Sequence, residues 1–308
     1  MSILTTFITV LSMLIYAVPG FILKKTKALD ENVIPALSKI LVFVCQPCFA
    51  IYAYNKAEYD PALFFRVLLF MALTVSTQLI VVGLFLLIYK KKWESVRYRI
   101  CTIASCFGNA VFFGAPVIET LMPDFTEAVI YANAYGVGMN ILAWTVGSAV
   151  ITRDKKYIKI KKILLNPAII GFAVAVCLYL CNIKLTGSIE TTFTTLGKMT
   201  TPVSMIILGI RLATVRIKPI FTTPLFYLTI FFKQMVYPLI AFGVISLFGF
   251  DMNIRTVMFI IGACPVASVV LNFAEMLGEG QEEAADVFLL GTISSIVTMP
   301  LILQLLNT

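Results

Sequence analysis

The stretch Cys106-Phe-Gly-Asn-Ala-Val-Phe-Phe-Gly-Ala-Pro116 lies inside an apolar segment that is long enough to cross a lipid bilayer. Gly108 and Gly114 weaken a helix, and Pro116 lacks a backbone N–H. Asn109 adds a carboxamide between them. Backbone freed from a helix at membrane depth is tolerated only where protein buries it or where it lines a watery cavity. The stretch therefore predicts a broken membrane helix beside a cavity.

A second stretch of the same kind, Gly262-Ala-Cys-Pro-Val-Ala-Ser-Val-Val-Leu-Asn272, follows about half a chain later. We expect its helix to break at Cys264 and Pro265, because proline disfavours a helical conformation in the residue before it. Two interrupted apolar segments at corresponding positions of two halves are the best sequence indication of a transporter binding site.

Composition places the whole chain in a membrane. Of 308 residues, 60% are hydrophobic and only 13% are charged, and the mean hydropathy is +0.96. The chain has no histidine, and its carboxylates lie in loops or near the ends of the apolar segments, so an enzyme is not expected. The Cys45-Gln-Pro-Cys48 spacing fits a metal or redox site, but its apolar setting favours packing, and we predict neither metal nor cofactor.

Ten apolar segments satisfy the length that a membrane-spanning helix requires. They are residues 3–23, 33–55, 62–89, 96–122, 125–151, 164–182, 187–213, 219–249, 253–278 and 281–306. The sequence thus predicts an all-α membrane protein with ten transmembrane helices.

The distribution of Lys and Arg residues predicts the orientation of these helices in the membrane. The loops after segments 1, 3, 5 and 7 hold seventeen Lys and Arg residues, against four on the other face. The seventeen are Lys24, Lys25, Lys27, Lys90, Lys91, Lys92, Arg97, Arg99, Arg153, Lys155, Lys156, Lys159, Lys161, Lys162, Arg211, Arg216 and Lys218. The positive-inside rule puts these loops in the cytoplasm and both termini outside an inner, or cell, membrane. The net charge of +8 is accounted for by this bias, and no nucleic acid partner is expected.

The two halves of the chain match each other at an offset of 155 or 156 residues. Pro47 then falls on Pro202, and Glu119 falls on Glu275. At the interruptions the match is crossed, because Asn109 falls on Pro265 and Pro116 falls on Asn272. Each unit has five segments, an odd number, so the second unit enters the membrane from the opposite side and the repeat is inverted.

Breaks near Asn109 and Pro265 leave second half-helices at 110–122 and 266–278, each roughly 20 Å long at 1.5 Å per residue. Their N-termini would meet near the middle of the bilayer and present unpaired N–H groups to a carboxylate or phosphate. The small residues Gly108, Ala110 and Ala267 would allow backbone and ligand to approach closely. The spacing therefore predicts an anion site between the two half-helices.

Lys233 is the most informative charge because it lies in the middle of an apolar segment, with Gln78 at the equivalent position of the first repeat. A lysine at this depth costs about 2.5–3.5 kcal/mol and should face a cavity or a partner. It could attract an anionic substrate, replace a coupling cation, or pair with helix carbonyls for packing alone. Asn133 and Asn140 share one helical face and could line a cavity or bond to neighbouring helices.

In these features the chain resembles the auxin efflux carrier family of membrane transporters, in its short bacterial form. The motifs that carry the resemblance are Pro19-Gly20, Leu37-Ser38-Lys39, Gln46-Pro47, Gly108-Asn109, Gly114-Ala115-Pro116, Trp144-Thr145-Val146-Gly147, Asn166-Pro167, Thr201-Pro202, Leu208-Gly209, Pro265-Val266-Ala267, Phe273-Ala274-Glu275 and Thr298-Met299-Pro300. They extend over the whole chain in order.

The resemblance implies two inverted five-helix repeats with crossed, broken helices 4 and 9, the elevator fold shared with bile-acid symporters. It implies a scaffold of helices 1–2 (residues 1–55) and 6–7 (153–214), which also forms a homodimer. The transport domain would hold helices 3–5 (56–152) and 8–10 (215–308). The family's substrate-contacting asparagine corresponds to Asn109 and its second crossover proline to Pro265, whereas Gly108 replaces a proline that is frequent in plant members.

We therefore expect an elevator-type secondary transporter or facilitator for a small organic anion, such as a dicarboxylate or an auxin-like acid. A sodium- or proton-coupled symporter and a membrane sensor without net flux are the alternatives. The expected substrate-binding residues are Gln78, Gly108, Asn109, Ala110, Asn133, Lys233, Pro265, Val266, Ala267 and Asn272, and the expected helix-breaking residues are Gly114, Pro116 and Cys264.

Overall fold

The computed structural model describes residues 2–306 apart from 155, 157, 159, 160, 162, 163 and 215–221. Lys155, Lys159, Lys162, Arg216 and Lys218, which contribute to the predicted orientation, lie outside the described residues. The main helices are α1 (Ile3–Lys25), α2 (Ile34–Asn55), α3 (Pro61–Ile88), α4 (Val96–Ala104), α5 (Ala110–Leu121), α6 (Ala128–Thr152), α7 (Pro167–Leu180), α8 (Gly187–Leu212), α9 (Pro224–Ser246), α10 (Met252–Ala263), α11 (Ser268–Leu277) and α12 (Gln281–Leu306).

Seven of these helices are long and apolar enough to cross a membrane: α1, α2, α3, α6, α8, α9 and α12. The remaining three predicted segments do not form one long helix each. Segment 164–182 contains the shorter helix α7, and segments 96–122 and 253–278 are divided into α4 with α5 and α10 with α11. The described part of the chain is therefore all-helical, with one isolated antiparallel bridge between Gly108 and Val266.

Local sequence signals explain where several helices begin. The carboxylate of Asp60 accepts hydrogen bonds from the amides of the first turn of α3, and Asp251 does the same for α10. The side chain of Asn166 accepts from the Ala168 amide, and Pro167 occupies the first turn of α7. At the other end of α10, Cys264 has an extended conformation (ψ 150°), because it precedes Pro265.

Proline within the helices is accommodated by a widened turn. Five-residue π-helical turns end two residues before Pro47, Pro116 and Pro238. A proline lacks the N–H that would continue the α-helical ladder, and a wider turn relieves the clash of its ring with the preceding turn. Gly114 ends such a turn and Pro116 follows it inside α5, so the prediction that these two residues break the helix is wrong.

The helices form two groups of contacts, which α1 joins by packing against α12 as well as against α8. In the first, α2 packs against α7 and α8, and α1 packs against α8. Glycines bring their backbones close together: a Cβ on Gly209 would lie 1.8 Å from the Ala17 carbonyl oxygen, and one on Gly171 would lie 2.4 Å from the Pro47 Cα. In the second group, α3 packs against α6, α9 against α10, and α12 against α4 and α11. The interrupted helices and α6 are the most deeply buried part of the molecule.

Two ion pairs connect these groups. On α5, Glu119 accepts from Lys56 Nζ at 2.7 Å and from the Tyr52 hydroxyl at 2.5 Å, both at the end of α2. On α11, Glu275 forms a bidentate pair with Arg211 of α8, with an Nη2–Oε2 distance of 3.0 Å. The offset that relates the two halves of the sequence carries Glu119 onto Glu275 and Lys56 onto Arg211. The two pairs therefore occupy positions that correspond at this offset.

Candidate functional site

The two interruptions in the helices pair with each other. The amide of Asn109 donates to the carbonyl oxygen of Pro265 at 2.9 Å, and the amide of Ala267 donates to that of Phe107 at 2.9 Å. These bonds flank the antiparallel bridge between Gly108 and Val266. Each break thus satisfies backbone groups that the other break removes from its helix, as a low-dielectric interior requires.

Beyond the bridge, α5 begins after Asn109 and α11 begins after Ala267. The first amides of these helices have no partner within their own helix. Those of Val111 and Phe112 in α5, and of Ser268 and Val269 in α11, donate to no acceptor in the described part of the chain. Each N-terminus carries about half a positive charge from the aligned peptide dipoles. Two such ends on one cavity favour a bound anion.

A cavity of about 140 Å³ lies at these N-termini, between the first helix group and the broken helices. Its walls are formed by α2, α5, α6, α11 and the start of α7. The lining residues are Val42, Gln46, Asn109, Ala110, Val111, Phe112, Gly136, Met139, Asn140, Trp144, Asn166, Ala267, Ser268, Val269, Asn272, Phe273 and Met276. None of them is charged, so its positive potential comes from backbone dipoles.

Carboxamides supply the polar part of the cavity wall. The side chains of Gln46, Asn109 and Asn272 make no hydrogen bond to the described part of the chain, which leaves them available to a ligand. Two others are already committed: Asn140 donates to the Gly136 carbonyl at 2.8 Å, and Asn166 caps α7.

Gln46 and Asn166 were missed as site residues. A usable signal was present, because each is a polar residue directly before a proline in an apolar segment.

The opposite part of the wall is apolar and aromatic. The indole of Trp144 on α6 meets the ring of Phe273 on α11 edge to face, with centroids 4.7 Å apart. Phe112, Met139 and Met276 extend this surface. Trp144, which belongs to one of the motifs that carry the family resemblance, is thus a cavity residue.

The predicted binding residues separate into two sets. Asn109, Ala110, Ala267 and Asn272 line the cavity. The structure places Gly108, Pro265 and Val266 behind it, in the paired backbone of the two breaks. Val266 is fully buried and faces Gly291 of α12, where an added Cβ would lie 3.3 Å from Val266 Cγ2.

Lys233 and Gln78 also lie behind the crossing rather than on the cavity. Lys233 is fully buried, and its ammonium group donates to the carbonyl oxygens of Gly262 at 2.6 Å and Cys264 at 2.9 Å. This is the pairing with helix carbonyls that was one of the alternatives from sequence. The amide of Gln78 is fully buried too, and neither of its polar atoms has a hydrogen-bond partner in the described part of the chain.

Asn133 lines a smaller pocket next to the main cavity, together with Gln46, Val111 and Asn140. Its Oδ1 atom is buried and has no hydrogen-bond partner in the described residues. The residues around this pocket belong to α2, α5, α6 and α7, and Asn133 lies close to the main cavity without forming its wall.

No arrangement for a metal is found among the residues that the structure describes, in the sense of three or more clustered His, Cys, Asp or Glu side chains. Cys45 and Cys48 are buried, unpaired thiols on α2. The main cavity itself offers backbone amides, carboxamides and aromatic surface for non-covalent binding.

Comparison with known families gives one match. A family model described as membrane transport protein matches residues 5–303, which include both interruptions and every residue of the cavity. No curated protein matches the chain.

Proposed function

Since the chain belongs to the membrane transport protein family, the auxin efflux carrier type, we propose that it is a secondary transporter or facilitator for a small organic anion. The proposal is for a carrier rather than an enzyme. The single observation that supports the choice of substrate is the pair of helix N-termini, α5 and α11, that open onto one cavity. Their four uncommitted amides are donors for a carboxylate.

The form of the cavity favours a substrate with one carboxylate and an apolar body. Two helix dipoles supply about one positive charge in total, and no cationic side chain lines the wall to balance a second carboxylate. A carboxylate at the N-termini would place the rest of the molecule against Trp144 and Phe273. The cavity volume of about 140 Å³ is similar to that of an engineered cavity that holds benzene, about 150 Å³.

The proposed mechanism is an elevator with ten membrane segments in two inverted repeats and crossed, broken helices 4 and 9. Residues 1–55 and 153–214 would form the scaffold, and residues 56–152 and 215–308 the moving transport domain. The two helix groups support this division, because close glycine contacts hold the first group together while the substrate cavity lies at its boundary with the second. The transport domain would carry the anion across by sliding along the scaffold.

Topology and assembly complete the proposal. We expect both termini outside an inner membrane, which cysteine labelling at residues 2 and 306 from the outer side would test. We expect a homodimer through the scaffold, since Ile3, Leu4 and Ile8 of α1 expose apolar surface. A single-subunit mass in mild detergent would contradict it.

The test of function is uptake into proteoliposomes that contain the purified chain. Radiolabelled monocarboxylates with aromatic or branched bodies are compared with dicarboxylates of similar size, with and without a membrane potential. We expect saturable flux of a monocarboxylate that the potential drives without an added ion gradient. Binding without flux would indicate a sensor, and flux that requires a sodium or proton gradient would indicate a symporter.

A further inference from the structure

Lys233 holds a position that resembles a bound-cation site. Its ammonium nitrogen contacts two backbone carbonyls where α10 ends, and it lies 4.9 Å from the centre of the Tyr237 ring. The last carbonyls of a helix lack partners and carry the negative end of the dipole. Carbonyls at the end of a broken membrane helix are a typical binding site for a sodium ion.

The charge of Lys233 is not balanced by a carboxylate in the described part of the chain, since none of the ion pairs found there includes it. A fully buried ammonium without a counter-ion is costly unless backbone dipoles replace its hydration. The carbonyl groups of Gly262 and Cys264 do so, and the lysine in turn satisfies carbonyl groups that lack a helical partner where α10 ends. Lysine and broken helix therefore stabilise each other.

The other repeat lacks this charge. The equivalent of Lys233 is Gln78, and the equivalent of Gly262 is Cys106. The carbonyl of Cys106 accepts instead from the neutral hydroxyl of Tyr135, at 3.1 Å. Only one of the two helix ends is thus occupied by a full positive charge.

We propose that Lys233 is a resident cation, which fills within the protein the place that a coupling ion would occupy. It is a positioning residue, since it acts on the anion only by fixing the end of α10 and hence the start of α11. This inference rests on the proposed function and extends it to the mode of coupling. The break between α10 and α11 would reach the conformation that binds the anion without sodium or a proton gradient. Removing the side chain should create a site for a small monovalent cation.

The decisive comparison is between Lys233→Ala, which leaves a space at the two carbonyls, and Lys233→Met, which fills that space without charge. Thermal unfolding of each purified protein is followed in sodium, methylammonium or the bulky N-methylglucammonium ion. We expect a saturable rise in Tm with sodium or methylammonium for the alanine variant alone. Because this readout needs no transport, it tests the resident cation even if the proposed function is wrong.

Flux measurements then test the coupling. Wild-type uptake should be equal in sodium and N-methylglucammonium. Lys233→Ala should lose about tenfold or more in N-methylglucammonium, as expected when buried carbonyls lose a charged donor, and recover with methylammonium. Lys39→Ala, at an exposed site, is the control for general effects of lysine loss.

Two outcomes would overturn the proposal: a sodium requirement in the wild type, or an alanine variant that no small cation stabilises. If Lys233→Ala cannot be purified folded, wild-type uptake and binding with and without sodium still decide the matter. A wild type that binds anion only with sodium has an ion site elsewhere.

Discussion

Asn109 joins the backbone crossing to the substrate cavity within one residue. Its amide N–H is committed to Pro265, while its carboxamide, with the residue only 5% exposed, lines the cavity without a partner in the described chain. The backbone conformation (φ −76°, ψ 65°) lies outside the helical region and lets α5 begin at the next residue. Asn109 therefore fixes the crossing through its backbone and, in the proposed function, would contact the substrate through its side chain.

Asn109→Ala separates these roles, because it keeps the backbone bond and removes only the carboxamide. We expect anion affinity to fall by about tenfold or more, the usual result of losing a hydrogen bond to a charged ligand, with Tm changed little. Binding and uptake are measured beside Asn253→Ala, an exposed position on α10. Unchanged affinity would remove Asn109 from the site.

The sequence predicted which polar residues lie near the breaks better than it predicted which groups surround each of them. Asn109 and Asn272, which are predicted from sequence as binding residues, both line the cavity, since polar side chains at helix breaks have few other roles in an apolar segment. Lys233 was expected near the anion and lies on the far side of the crossing. The position of a residue within an apolar segment predicts its depth in the membrane. The side of the crossing that its side chain faces depends on the rotation of the helix about its axis, which a single sequence does not specify.

At the scale of elements, the molecule uses two kinds of helix contact. Helices α1 and α8 approach until backbone touches backbone: a Cβ on Gly20 would lie 2.1 Å from the Ile206 carbonyl oxygen, and one on Gly209 even nearer to Ala17. Such small-residue contacts are a main source of helix association in membranes. The broken helices are instead joined through the paired backbone of their interruptions.

Gly209→Ala tests the glycine contacts. The atoms next to Gly209 belong to the backbone of α1 and cannot rotate away, so we expect the free energy of unfolding to fall by about 1–3 kcal/mol or more, seen as a lower Tm in detergent. Gly243→Ala on α9 is the matched control, because nothing lies within 4 Å of its Cβ, and it should be neutral or slightly stabilising. Equal melting of the two variants would mean that α1 and α8 are not closely packed.

The sequence predicts where the two helices are interrupted, but it does not predict the helical conformation beside each interruption. Residues Gly262–Asn272 predicted a break, and the observed end of α10 at Ala263 follows from Pro265 alone. The π turn before Pro116 was not foreseen, because local sequence cannot tell whether a proline ends a helix or is absorbed by a wider turn. That choice depends on the tertiary contacts that hold both halves of α5 in line.

At the scale of the whole molecule, the proposed inverted repeat would place one ion pair in each of its two halves. Glu275 pairs with Arg211 of the proposed scaffold, and Glu119 accepts from Tyr52 of the scaffold as well as from Lys56, which directly follows α2. Both glutamates lie on half-helices that carry a cavity wall. In an inverted repeat, equivalent contacts lie toward opposite membrane faces. Sliding of the transport domain would strain the two pairs differently, so each should favour a different end of the movement.

Glu119→Gln and Glu275→Gln should therefore have opposite effects. Removing one pair changes the free-energy difference between the two end states of the movement by the energy of a partly exposed ion pair, about 0.2–1 kcal/mol. This corresponds to a change of up to several-fold in apparent affinity. KM is measured from each side, in right-side-out and inside-out vesicles. We expect one variant to raise KM on one side and the other variant to raise it on the opposite side, with the double variant near the wild type.

Changes of the same sign on both sides in the two variants would contradict this prediction. They would indicate that the pairs stabilise the fold without distinguishing the states of the carrier. Glu279→Gln is the control, since Glu279 and its partner Arg99 both lie within the proposed transport domain.

The pairing of the two breaks also has a consequence for biosynthesis. Asn109 enters the membrane 156 residues before Pro265, the acceptor for its amide, has been translated. Until then the first break exposes backbone groups that lipid cannot satisfy. The backbone of the first break must therefore be hydrated or bound by a chaperone until the second half has been translated. Insertion is complete only when the two breaks have paired.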